Sequence, residues 1–202
     1  MNEDSSTDAS THKNTATSGF IAVLAVVLTL AAITWAADVF RLVGLLLYTE
    51  QFLSGILAIA VPLVFLSVRA KKSQKGDSIP WYDYVFSGIG FICASFMAVR
   101  YPALAELVSD APIEGLIPGT IIVILLIEGL RRTVGHTLTV LVLIFVLIGL
   151  FGHLLPGKLA GKEMLARDFF YYLAWDSTSI LGVPMKIVTS IVMAFVFFGQ
   201  VL

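Results

Sequence analysis

Charge is scarce in this chain of 202 residues: only 13% are Asp, Glu, Lys or Arg, against 58% hydrophobic. A soluble domain carries about 25% charged residues, so the composition places the chain in the membrane class. Cysteine is rarer still. Cys93 stands alone, which excludes an intrachain disulfide and a thiolate metal cluster, and its apolar surroundings assign it to packing. Basic charge is not in excess either. The formal net charge is -1 and no basic stripe appears, which argues against a nucleic-acid partner. Nucleophile-elbow, zinc-ligand and phosphate-loop spacings are all missing. The sequence therefore offers no catalytic, cofactor-binding or metal-ligating set.

What the chain does have is long apolar runs, and the stretch 128–157 organises them. It opens on Glu128, Arg131 and Arg132, continues from Thr137 to His153 without one Asp, Glu, Lys or Arg, and closes on Pro156 and Gly157. A helix of about twenty residues crosses roughly 30 Å of hydrocarbon, so this stretch predicts a span over 134–155 with a charged threshold. Further spans are expected at 19–37, 52–68, 81–99 and 116–130, and a sixth apolar run occupies 177–202. The expected fold is an all-α polytopic membrane protein of about six transmembrane helices.

The connecting segments suggest an orientation. Residues 1–18 are polar, lack a hydrophobic period and predict a disordered tail. Ala36 and Ala37 after Trp35 resemble a signal-peptidase site, but Glu3, Asp4 and Asp8 against Lys13 give the wrong charge for a signal peptide, so an uncleaved first span is favoured. Segment 38–51 reads either as a short interfacial helix or as an overlong start of the next span. Arg69, Lys71, Lys72 and Lys75 form the densest basic cluster, which places that loop and the N-terminus in the cytoplasm. Glu106, Asp110 and Glu114 suit the outer face. Segment 158–176 looks amphipathic, with Phe169, Phe170, Tyr171 and Tyr172, and is expected along the membrane surface. The chain stops at Leu202 inside an apolar run, with no interfacial anchor, so the natural protein is expected to continue.

Few residues could carry chemistry. Glu128 lies within an apolar helix, where an acid is costly and marks a functional candidate. Arg131 and Arg132 follow three and four residues on, however, so an ion pair on one helix face is the favoured reading. Lys186 can snorkel to the surface or pair with Asp176 or another helix. His136 and His153 flank one span about 25 Å apart and cannot share a metal. Glu128 and His136 as an acid and base of an intramembrane enzyme would be about 12 Å apart along a helix, too far for a direct hydrogen bond. The spacing of Gly115 and Gly119 is a weak signal of helix contact.

Taken together, several of these pieces form a pattern. Glu128, Arg131 and Arg132 precede a span that leaves through Phe151, Gly152, Pro156 and Gly157. Gly182, Val183 and Pro184 then open a helix leading to Phe198 and Gly199, and Ile79, Pro80, Trp81, Tyr82 and Asp83 open an upstream span. Over roughly 52–202 this resembles the fused permease of TRAP transporters, the tripartite ATP-independent periplasmic systems, in its small-plus-large-subunit form associated with TAXI-type binding proteins. The resemblance implies a sodium-driven secondary transporter in the cytoplasmic (inner) membrane of a bacterium or archaeon. It would take up an organic acid delivered by a periplasmic TAXI-type substrate-binding protein. Residues 19–157 would be small-subunit-like scaffold, and 158–202 an outer segment and the start of the large transport subunit. In that family the substrate and sodium sites sit on broken helices of the transport domain, expected beyond Leu202. Glu128, Arg131, Arg132, Gly152, Pro156, Gly157, Gly182 and Pro184 are accordingly assigned to structure. One departure is Asp176-Ser177-Thr178-Ser179, where the family tends to carry a Thr-Thr-Glu-Gly-like step. The rival reading is a self-contained membrane scaffold or partner-binding protein without transport activity.

Overall fold

The computed structural model describes residues 4–37, 39–42, 44, 47–68, 80–154, 164–192, 195, 198 and 199. Every regular element among them is helical: α1 (Asp4–Ala36), α2 (Val39–Leu42), α3 (Thr49–Ser67), α4 (Trp81–Ala105), α5 (Ile113–Thr133), α6 (His136–Phe151), α7 (Ala166–Trp175) and α8 (Val183–Ile187). A 3₁₀ turn, Gly152–Leu154, follows α6, and a π-helical turn, Val188–Val192, follows α8. The basic loop at 69–75, Pro156, Gly157 and the last three residues lie outside the described residues.

Three of these helices, α3, α4 and α5, are long and apolar enough to cross a membrane. Their 19, 25 and 21 residues overlap the segments 52–68, 81–99 and 116–130, with α3 and α5 starting earlier and α4 and α5 ending later. Pro80 and Pro112 sit at the N-caps of α4 and α5 in extended conformation, where a missing N–H costs nothing. The apolar helical segments Gly19–Trp35, His136–Phe151 and Val183–Val192 are shorter. One segment differs from expectation. The segment read as a disordered tail is helical from Asp4, in one helix with the apolar run behind it. Once an apolar segment supplies a nucleus, each added residue gains a hydrogen bond without a new nucleation cost. Of the two readings of 38–51, the separate short helix is found: α2 ends at Leu42, Gly44 adopts φ 80, and α3 begins only at Thr49.

The core lies between α3, α4 and α5. Leu53, Leu57, Val61 and Phe65 recur every fourth residue on α3 and meet Ala94, Met97, Tyr101 and Leu104 of α4. Between helices in lipid, apolar burial alone drives little association; close packing and polar contacts do. Gly90 illustrates the first, since any Cβ there would collide with Val61. Gln51 illustrates the second: its side-chain amide donates to the Ala98 carbonyl at 3.2 Å and its oxygen accepts from the Tyr48 N–H at 3.2 Å. Trp35 stacks on Phe52 at 4.2 Å and fastens α1 to the start of α3.

Helix α7 is amphipathic as expected, and the face it buries meets protein. Tyr171, Ala174 and Trp175 are buried against α5 and the end of α4. Gly115 and Gly119 make this approach possible: a Cβ would lie 2.8 Å from the Tyr171 ring at the first and 2.7 Å from the Ala174 Cβ at the second. The Tyr171 hydroxyl donates to the Leu104 carbonyl at 2.8 Å, and Trp175 Nε1 donates to the Gly115 carbonyl at 2.9 Å. Arg167 Nε donates to the carbonyl of Ala111 at 2.9 Å, and that residue holds φ 40.

Burial, and after it the negative charge of Glu114, pushes the Tyr171 phenol up from 10.0 to about 12. The folded state thus keeps a proton that an unfolded chain loses near 10.0. The associated stability is intact below that pH and is lost as pH rises towards about 12. In an absorbance titration of the phenolates, Tyr171→Phe is expected to remove one late-titrating group. Its loss from the ordinary range near 10 instead would contradict the buried placement.

Asp176 ends α7 and organises the turn that follows. Its Oδ1 accepts from the Thr178 N–H at 2.8 Å and from the Thr178 hydroxyl at 2.5 Å, an Asx-type turn. The Ser179 hydroxyl donates back to the Leu173 carbonyl. Gly182 is required next, because a Cβ there would run into the Ser177 carbonyl. The Asp176 carboxylate is thus engaged within its own turn. Lys186 is exposed and forms no ion pair among the described residues.

Candidate functional site

At the end of the bundle where α4 begins and α5 finishes, four charged side chains and two aromatic rings converge. Glu128 accepts from Arg131 through both carboxylate oxygens, Oε2 from Nε and Oε1 from Nη2, each at 2.7 Å. Its Oε1 also accepts from Arg132 Nε at 2.8 Å. This is the ion pair that the three- and four-residue spacing predicts on one helix face. Arg132 then reaches out of its helix, and its Nη1 donates to Asp83 Oδ1 of α4 at 2.6 Å. Both of these side chains are 1% exposed, whereas Glu128 and Arg131 are 28% and 31% exposed.

The Arg132 guanidinium also lies over the Phe65 ring of α3, 4.6 Å from its centroid, with the Phe86 ring of α4 at 5.9 Å. A cation screened from water gains from such ring faces. One side chain of α5 therefore contacts α3 and α4 at once. Asp83 Oδ2 is buried and has no hydrogen-bond partner among the described residues.

The opposite ends of α4 and α5 carry a second ion pair, Arg100 Nη2 to Glu114 Oε2 at 3.2 Å, with both side chains largely exposed. Seventeen residues separate Asp83 from Arg100 and eighteen separate Glu114 from Arg132, about 26 Å of helix in each case. The two antiparallel helices are thus tied at both ends across a length close to the hydrocarbon thickness of a bilayer. Trp81, 77% exposed, stands beside the buried cluster, at the level where aromatic side chains anchor a span.

Of the residues the sequence singles out, Glu128, Arg131 and Arg132 come together here. Gly152 is buried in the turn after α6, and Gly182 and Pro184 open α8; none of the three joins the cluster. His136 and His153 are exposed at opposite ends of the α6 segment. His136 is separated from Glu128 by the break at Val134 and Gly135, and both Glu128 oxygens are occupied by guanidinium groups. No three His, Cys, Asp or Glu side chains gather into a metal-binding group among the described residues.

Sequence reasoning missed Asp83 as the partner of Arg132. The available signal was an acid in the first turn of an apolar helix, which needs a cation once that turn is buried. In comparisons with known proteins, no protein-family model, no curated protein and no solved structure matches this chain.

Proposed function

We propose that this chain is part of a TRAP-type permease, a sodium-driven secondary transporter of an organic acid. Residues 19–157 are its scaffold, and 158–202 an outer segment and the start of the large transport subunit. The acid would arrive from a periplasmic TAXI-type binding protein. In this reading about six helices lie in the cytoplasmic (inner) membrane of a bacterium or archaeon, with the N-terminus inside. The substrate and sodium sites belong to the remaining transport domain. The observation that carries the proposal is the meeting of Asp83 with Arg132 at 2.6 Å. Two of the separate stretches on which the family resemblance rests, around Pro80–Asp83 and around Glu128–Arg132, supply the two halves of one buried ion pair. A membrane scaffold needs such a tie, because a transport domain can only move against helices that hold their mutual positions.

The test is reconstitution. The chain, a TRAP large-subunit transport domain and a TAXI-type binding protein are placed together in liposomes under a sodium gradient, and uptake of labelled organic acids is followed. Uptake is expected from the three components together and absent from the chain alone. Uptake by the chain alone would overturn the scaffold assignment. Absence of uptake from a verified three-component assembly would leave the rival reading, a partner-binding scaffold without transport activity.

A further inference from the structure

The end of the bundle opposite Asp83 holds two carboxylates without an ion-pair partner among the described residues. Glu50 stands in the first turn of α3, half-buried, and its side chain makes no hydrogen bond or ion pair among those residues. Asp176 caps α7 and is also half-buried. Thr178 occupies its Oδ1, and its Oδ2 carries no bond among the described residues. The arginines of that end are engaged elsewhere: Arg100 pairs with Glu114 at 3.2 Å, and Arg167 donates to the Asp110 and Ala111 carbonyls.

Packing brings both acids to one side chain, Tyr101 of α4. Gln51, next to Glu50, donates to the Ala98 carbonyl at 3.2 Å, which Pro102 leaves without its helical N–H. Ala98 and Tyr101 lie about one turn apart on one face of α4. From the other side Trp175, next to Asp176, stacks on the Tyr101 ring with centroids 6.2 Å apart. Tyr101 is 4% exposed, and its hydroxyl makes no hydrogen bond among the described residues. A buried phenol or indole ordinarily finds a partner, and the adjoining Tyr171 and Trp175 each have one. The charges that act on the Tyr101 phenol are those of Glu50 and Asp176. Three oxygen groups from α3, α4 and α7 thus converge without bonding one another.

Oxygen donors alone suit a hard cation, and two negative charges beside a neutral hydroxyl match a divalent one. Calcium takes about six to eight oxygens in flexible geometry and accepts water for those the protein does not supply. We infer that Glu50, Tyr101 and Asp176 form a binding site for a divalent cation of the calcium type, which ties the start of α3 to the end of α7 across α4. With two carboxylates only, its affinity falls at the weak end of such sites, about 10⁻⁴–10⁻³ M. The site is independent of the function proposed above.

Terbium(III), an oxygen-seeking stand-in for calcium that emits when excited through a nearby indole or phenol, tests this on the full chain in an uncharged detergent. Saturable emission sensitised by Trp175 and Tyr101 is expected, chased by millimolar calcium. Glu50→Gln and Asp176→Asn should each weaken calcium about tenfold. The asparagine keeps an oxygen for Thr178. Tyr101→Phe, which keeps the stacked ring, should weaken calcium several-fold, and Glu114→Gln in the exposed ion pair should leave it unchanged. Should Asp176→Asn fail to fold, Glu50→Gln and Tyr101→Phe decide. Absence of saturable emission, calcium affinity undiminished by Glu50→Gln and Tyr101→Phe, or an equal loss in Glu114→Gln, the mark of a diffuse acidic surface, would overturn the site. A chase by sodium at the concentration that suffices for calcium would overturn the divalent assignment.

Discussion

Replacing Arg132 with methionine is expected to destabilise the folded chain by about 3–5 kcal/mol, the range seen when one partner of a buried ion pair is removed. Asp83 has one hydrogen-bond partner among the described residues, through Oδ1, so the substitution leaves a buried carboxylate with neither oxygen engaged. The reverse change, Asp83→Leu, should cost less, about 1–3 kcal/mol. Arg132 would keep the Glu128 carboxylate at 2.8 Å and the Phe65 ring at 4.6 Å. The double variant Asp83→Leu/Arg132→Met should recover most of the loss, because a buried pair replaced by apolar groups is often nearly neutral. Equilibrium unfolding in detergent gives all three values. Equal costs for the two single changes, or a double variant as unstable as Arg132→Met, would show that a stranded Asp83 carboxylate is not the source of the loss.

The second large effect is expected at Gly119. Valine there would drive a Cβ to 2.7 Å from the Ala174 Cβ and 3.1 Å from Trp175 Nε1. Helix α7 would have to withdraw, and with it would go the Trp175 bond to the Gly115 carbonyl and the Tyr171 bond to the Leu104 carbonyl. Overpacking and stranded buried polar groups together are worth about 2–4 kcal/mol. In a background with Trp35 and Trp81 replaced by phenylalanine, Trp175 emission reports the change directly. A red shift is expected for Gly119→Val and little change for Gly55→Ala, since a Cβ at Gly55 meets nothing within 4 Å. An unshifted Gly119→Val spectrum would refute the close contact.

The sequence disclosed elements more readily than contacts between them. Helices α3, α4 and α5 are legible because about twenty apolar residues bounded by charge or proline have one stable form in a bilayer. The Glu128–Arg131–Arg132 pairing is legible because it lies within a single helix turn. The Asp83–Arg132 pair bridges 49 positions, and the helical period does not say how α4 and α5 are rotated about their axes. The Gly115 and Gly119 spacing was visible as a small-residue pattern. That it receives the aromatic face of α7 was not, because small-residue spacings recur across membrane helices and do not name their partner. The helical state of the polar N-terminal segment was missed for another reason: its composition lacks an apolar period, and composition does not register propagation from the neighbouring run.

The order of residues along the chain gives the buried pair a timetable. Asp83 leaves the ribosome 49 positions before Arg132, a lag on the order of 2–10 s at ordinary rates of synthesis. For that interval α4 carries an acid whose guanidinium has not yet been made. Helix α5, by contrast, is born with Glu128 already beside its arginines. During synthesis, then, α4 is the helix that waits, and its final seating follows the arrival of α5.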